Sequence, residues 1–190
     1  MLAELSEDSE NGRLRRKAFQ TAIEGTIYEY QGLGIEMNQR YTSDGVFQSD
    51  QGDAPKLTED PILYYQPTTY PGARVPHAWL NTTIPSKPMS TIDITGHGHF
   101  TLLTGVGGKP WKAAATSAAA VLDLPIKAFS IGFRQDFEDP YFAWARLRGV
   151  EESGCVLVRP DRFVAWRSNL VQKDCEDTLL KVLRSILACH

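Results

Sequence analysis

The sequence predicts an α/β protein, and three observations carry that reading. Apolar residues recur at helical spacing in several stretches, short β-branched runs alternate with helical patterns after residue 90, and glycine and proline punctuate the joins. The chain has 190 residues, a formal charge of −3 and 42% hydrophobic residues, which fits one ordinary domain plus an extension. We place the division at residue 89. Residues 1–89 read as a helix, an extended segment and a proline-rich strap, and residues 90–190 as a second, regular domain.

From Arg13 to Gln31, Leu14, Ala18, Phe19, Ala22, Ile23, Ile27 and Tyr30 form one stripe, with Arg16, Lys17, Gln20 and Glu24 opposite. That spacing predicts an amphipathic helix, closed by the glycines of "QGLG". "IEMNQRYTS" then reads as extended chain, and residues 48–58, "QSDQGDAPKLT", as a polar loop.

Residues 60–80, "DPILYYQPTTYPGARVPHAWL", hold prolines at 61, 67, 71 and 76. Each proline fixes its own φ and pushes the preceding residue toward extended conformations, so the segment is expected to run polyproline-like over a surface. Tyr64, Tyr65, Tyr70 and Trp79 would anchor it, with Arg74 and His77 free to point into whatever cleft it crosses.

Beyond residue 90, "STIDITG" and "HFTLLTGV" read as short strands, and "GGKPWKAAATSAAAVLDL" as a helix opened by glycine and an early proline. "PIKAFSIG" reads as a buried strand and "DPYFAWARLRGV" as a second helix. "CVLVRPDRFVAWRS" reads as two strands joined at "RPDR". The final stretch, "KDCEDTLLKVLRSILACH", predicts a helix with Asp174 as N-cap, Asp177 three residues later and a Leu179, Leu180, Leu183, Ile186, Leu187 stripe. The order β-β-α-β-α-β-β-α is that of a thioredoxin-like core. Trp144, Phe163 and Trp166 are expected to fill it.

Composition excludes several classes of function. Basic and acidic residues are interspersed, so no broad positive face for a phosphate backbone is expected and nucleic acid is not a predicted partner. No apolar run approaches the roughly 20 residues of a membrane span, and the first residues are acidic and polar, which reads as a cytoplasmic protein. Cys155, Cys175 and Cys189 lack C-x-x-C spacing, so no disulfide framework, zinc site or thiol redox centre is indicated. At the expected redox position stands "TGVGGKPW", where Gly107 and Gly108 read as tight-turn residues before they read as an anion site.

His97 and His99 alternate with glycine and would point to one side of extended chain, yet no third ligand lies close in sequence, so no metal is expected. Arg159, Asp161 and Arg162 sit in the predicted hairpin turn, where the aspartate is expected to stabilise the turn.

The stretches "NQRYTS", "YYQPTTYPGARVPHAWL", "STIDITGHGHFTLLTG" and "GCVLVRPDRFVAWRS" resemble the C-terminal part of flavin-dependent aromatic hydroxylases of the phenol and chlorophenol monooxygenase family. The resemblance runs from about Arg13 to Ser168. It implies a long helix, a strand and a proline-rich crossing at the end of a flavin domain, followed by a thioredoxin-like domain without redox cysteines. Such hydroxylases bind FAD through a strand-G-x-G-x-x-G-helix unit and a later Gly-Asp motif. This sequence contains neither in that context, since Gly52-Asp53 lies in a polar loop, so no cofactor is expected here.

Two functional expectations follow. One is a cofactor-independent cyclase or isomerase, a pericyclase of Diels–Alder type, folding a hydrophobic polyketide or terpenoid of secondary metabolism into a reactive shape. Arg74, His77, Tyr41 and His99 would be its hydrogen-bond donors, and Tyr70, Trp79 and Phe47 its apolar walls. The other is a non-catalytic assembly or dimerisation module, or an accessory fragment of a flavin-dependent aromatic hydroxylase. That reading expects exposed apolar area around Tyr28, Tyr30, Tyr41 and Phe47, and it makes a homodimer plausible.

Overall fold

A computed structural model describes residues 3–82, 84 and 87–188; Cys189 lies outside them. The chain forms two compact units, Met1–Met37 with Leu57–Gln66, and Asn38–Lys56 with Pro67–His190.

In the first unit a 3-10 turn, Ala3–Ser6, precedes α1 (Glu10–Gly25), α2 (Ile27–Tyr30) and α3 (Leu33–Met37). Ser9 caps α1 by accepting the Gly12 amide at 3.0 Å. The predicted single helix to Gln31 is interrupted at Thr26, whose amide and hydroxyl both bond the Ile23 carbonyl, at 3.0 and 2.8 Å. A threonine side chain offering that bond competes with the helical ladder. The predicted extended stretch after residue 34 also begins as helix, because Ile35 to Met37 complete α3. Gly34 packs against the returning segment, donating its amide to the Ile62 carbonyl at 2.9 Å; a Cβ there would lie 2.1 Å from the Pro61 carbonyl oxygen. The apolar stripe of α1 is present but open to solvent, with Leu14, Phe19 and Ile23 more than half exposed.

The second unit contains β1 (Trp79–Leu80), β2 (Met89–Ser90), α4 (Thr91–Ile94), β3 (Phe100–Thr104), α5 (Lys109–Leu122), β4 (Ile126–Ser130), α6 (Ala143–Leu147), β5 (Cys155–Val158), β6 (Val164–Ser168) and α7 (Cys175–Ile186). Its main sheet has the order β4-β3-β5-β6. β3 and β4 are parallel, and β5 runs antiparallel to both its neighbours. A parallel βαβ pair extended by an antiparallel hairpin and a terminal helix is the thioredoxin-like arrangement.

The sheet buries both faces. On one, Leu102, Cys155, Leu157 and Trp166 meet Trp111 and Ala118 of α5 and Leu179 and Leu183 of α7. On the other, Leu103, Val156 and Val164 meet Val75, Ala78, Leu80, Ile94 and Trp144. Trp144, Phe163 and Trp166 are all buried. So are Cys155 and Cys175, both free thiols, and burial pushes the Cys155 thiol well above its ordinary range.

Three local expectations need correction. "STIDITG" is not a strand: only Ser90 pairs, and Ser90 and Asp93 then form a reciprocal capping box that starts α4. The strap from Pro67 onward does not lie over a surface but becomes a sheet edge beside β6. Gly72 donates to the Val164 carbonyl (2.8 Å), Val164 returns a bond to Ala73 (2.8 Å), and Val75 donates to Arg162 (2.9 Å). The prolines at 71 and 76 bracket these donors, so the edge loses no ladder bond to them. Finally, Asp174 stands at the N-cap of α7 but makes no capping bond.

Candidate functional site

Arg74 and Tyr41 are brought together by the strap and the β5–β6 turn. The Arg74 guanidinium carbon lies 5.0 Å from the centre of the Phe163 ring. Tyr41 meets the same ring edge-on, with centroids 4.6 Å apart, and the Arg159 guanidinium sits 5.9 Å from the Tyr41 ring. Arg159 is also bound to Asp161 at 3.1 and 2.7 Å, which stabilises the turn as expected of that aspartate. Arg74 has no ion pair among the described residues, and its Nε is buried without a hydrogen-bond partner.

His77 and Trp79 form a second group. Their rings meet edge-on with centroids 4.7 Å apart, and both are exposed. His77 Nδ1 lies 2.7 Å from Ser90 Oγ, which also accepts the Ile92 amide at 3.1 Å. Ser90 is buried and spent as a helix cap.

His99 is only 8% exposed. Its Nδ1 approaches the His97 carbonyl at 3.3 Å, and its Nε2 is buried without a partner. Burial lowers its pKa, the bond to His97 opposes that, and Lys127 and His97 add to the lowering. The His97 and His99 rings are nearly parallel, with centroids 6.5 Å apart. No group of three or more metal-ligating side chains occurs among the described residues.

Tyr70 and Phe47 belong elsewhere. Tyr70 is buried and donates its hydroxyl to the Gly52 carbonyl at 3.0 Å, with the Arg167 guanidinium 5.4 Å from its ring. Arg167 Nε donates to Gln51 at 3.0 Å. Burial lowers the Arg167 pKa and Tyr70 partly offsets this. Phe47 packs against the helix-side core and ties its amide to the Ala165 carbonyl at 2.9 Å. Of the seven side chains expected to form one site, shared ring contacts join Arg74 with Tyr41 through Phe163, and His77 with Trp79.

Sequence reading missed Ser90, Gln51 and Arg167. For Ser90 the signal was available in the S-x-x-D spacing before Asp93. Gln51 and Arg167 are 116 residues apart, and nothing local to either announces the pair.

The start of α5 is built as a tight turn. Gly107 has φ +86 and Gly108 donates to the Gly105 carbonyl, as turn residues do. The Trp111 and Lys112 amides both turn back to the Gly108 carbonyl, and Pro110 offers none. Lys112 is already paired with Asp136 at 2.5 Å. The Gly108, Trp111 and Lys112 amides are thus occupied by their own turn.

A family model described as "Aromatic-ring hydroxylase, C-terminal" matches residues 68–188. The chain belongs to the aromatic-ring hydroxylase family. Within that family it is 41% identical over 189 residues to the 2,4-dichlorophenol 6-monooxygenase of Delftia acidovorans, covering 100% of this chain and 32% of that protein. It is 40% identical to the phenol 2-monooxygenase of Pseudomonas sp. (strain EST1001), over 96% of this chain and 30% of that one. Among solved structures, the flavin-dependent monooxygenase PieE in complex with FAD and substrate aligns with a TM-score of 0.79 and 42% identity, covering 98% of this chain and 31% of PieE. The chain therefore spans about a third of the length of the aromatic-ring hydroxylases it matches. Among the described residues no helix is long and apolar enough to cross a membrane.

Proposed function

We propose that this chain acts as the C-terminal docking module of a flavin-dependent aromatic-ring hydroxylase, covering a flavin-binding region that supplies the redox chemistry. The observation that carries the reading is the open apolar surface of the first unit. Phe19 and Ile23, one helical turn apart on α1, are 53% and 54% exposed, and with Leu5 they line a shallow hollow of about 560 Å³. Tyr28 and Tyr30 add 56% and 80% exposure. Large apolar side chains in helical register and open to water mark a surface that another body covers.

The matched relatives are about three times as long as this chain, which supports a flavin-binding region as that body. The cyclase reading asks Arg74, His77, Tyr41 and His99 to converge on one substrate. The docking reading needs no such convergence and draws on the exposed side chains of α1 alone.

Co-expression with the flavin-binding region of the Delftia relative, followed by affinity capture through this chain, tests the proposal. A yellow one-to-one complex that is lost in Phe19→Asp/Ile23→Asp is the expected result. A colourless capture, or a dimer of this chain alone held by the same two residues, overturns it.

A further inference from the structure

A cavity of about 500 Å³ opens at the carboxyl ends of β3 and β4, within the range of small-molecule sites. None of the seven residues weighed above as one site lines it. Its floor is apolar: Ile131 and Trp144 are each 2% exposed and line it. Its rim carries two large aromatic side chains turned to solvent, Phe133 at 75% and Phe142 at 68% exposure.

The frame is rigid. Ile131 donates to the Thr104 carbonyl at 2.9 Å and Gly132 to Phe137 at 2.9 Å, while Glu138 and Asn81 exchange bonds at 2.7 and 2.9 Å. Asp139 accepts the Ala143 and Ala145 amides, each at 2.9 Å, and so holds Phe142 at φ +52, a left-handed backbone that a bulky residue seldom adopts.

The charges in the lining choose the ligand. Asp139 is consumed by those amides, but the carboxylates of Glu138 and Glu152 have no hydrogen bond or ion pair among the described residues. Arg148 is the one cation of the lining, and its Nε donates to the Val150 carbonyl at 2.9 Å. The Arg134 guanidinium already sits 5.3 Å from the centre of the Phe133 ring, so the Phe142 ring and the unpaired carboxylates of Glu138 and Glu152 are what favour a cation with an apolar body, because ring faces and carboxylates both attract positive charge. We propose that this cavity is a binding site for an organic ammonium ligand of arylalkylamine type, its ring on the Ile131–Trp144 floor and its ammonium toward Glu138 and Glu152.

Titration of this 190-residue chain with benzylamine, benzyl alcohol and benzoate, followed by NMR shifts of Ile131, Trp144 and Ala145, tests it. Benzylamine is expected to saturate with a Kd of about 1 mM or tighter. Benzyl alcohol should bind about tenfold more weakly and benzoate more weakly still, since both lose the charge attraction. Ala145→Trp, at an exposed position on the cavity wall, should abolish saturation, and Glu138→Gln/Glu152→Gln should weaken benzylamine about tenfold. Spectra of both variants away from the cavity report that they stay folded. Absence of saturation by benzylamine, equal binding of the alcohol, or binding unchanged in either folded variant overturns the proposal.

Discussion

The Trp166 indole N–H donates to the Asp50 carboxylate at 2.8 Å, joining a polar loop to a strand 116 residues later. Trp166 is fully buried while Asp50 is exposed, so the carboxylate reaches in from the rim of the core. Asp50→Ala strands the indole donor, and water can replace part of the bond at that rim. The expected loss is about 1 kcal/mol, where a fully enclosed charged bond would be worth up to about 3 kcal/mol. Urea unfolding of the variant checks it.

Gly72 is where the strap bends to pair with β6. It has φ +94, and a Cβ there would stand 2.2 Å from the Tyr41 backbone oxygen. Gly72→Ala combines left-handed strain with a backbone clash, so it should cost about 2 kcal/mol or more. Gly25→Ala, whose Cβ meets nothing within 4 Å, should be neutral or slightly stabilising. Paired denaturation curves read the contrast.

Ser90 serves two partners, capping α4 through the Ile92 amide and holding His77 Nδ1. Ser90→Ala removes both bonds and should cost about 1 kcal/mol. The His77 imidazole resonances should move in the same variant, while those of His97 stay in place.

His99 gives the fold a pH dependence of defined sign. Burial first, then Lys127 and His97, hold its folded pKa below the ordinary 6.5, against the opposing bond to the His97 carbonyl. The unfolded chain therefore binds a proton that the folded chain resists. Stability from this group is fully present above pH 6.5 and declines as pH falls toward and through the folded pKa. Asp136, whose carboxyl burial raises but whose bonds from Lys112 and Ser130 lower to a net depression, acts only in more acidic solution. His99→Gln should remove the upper slope and leave the acid limb, as thermal unfolding across pH would show.

Much of this fold is legible in the residues. Two short apolar runs on either side of the turn "RPDR" specify the β5–β6 hairpin, whose strands are buried at nearly every position, and an alanine-rich run opened by Pro110 specifies α5. The misreadings have physical causes. Thr91, Ile92, Ile94 and Thr95 are β-branched and read as strand, yet the Ser90–Asp93 capping box outweighs that preference over a single turn. The stripe of α1 is plain at Leu14, Phe19 and Ile23, but a stripe reports that a face is apolar and not what covers it. The candidate site was less legible, because the Gln51–Arg167 and Asp50–Trp166 pairs depend on contacts across 116 residues. The cavity between Phe133 and Phe142 depends on loop geometry that no periodicity encodes.

The most direct test of the docking role is a chimera in which this chain replaces the matching third of the Delftia 2,4-dichlorophenol 6-monooxygenase, purified and assayed for bound FAD and for hydroxylation of 2,4-dichlorophenol. A folded, flavin-loaded and active chimera, with flavin lost on Phe19→Asp/Ile23→Asp, is the predicted result. A folded chimera that carries no flavin, or one indifferent to those two substitutions, would contradict the account.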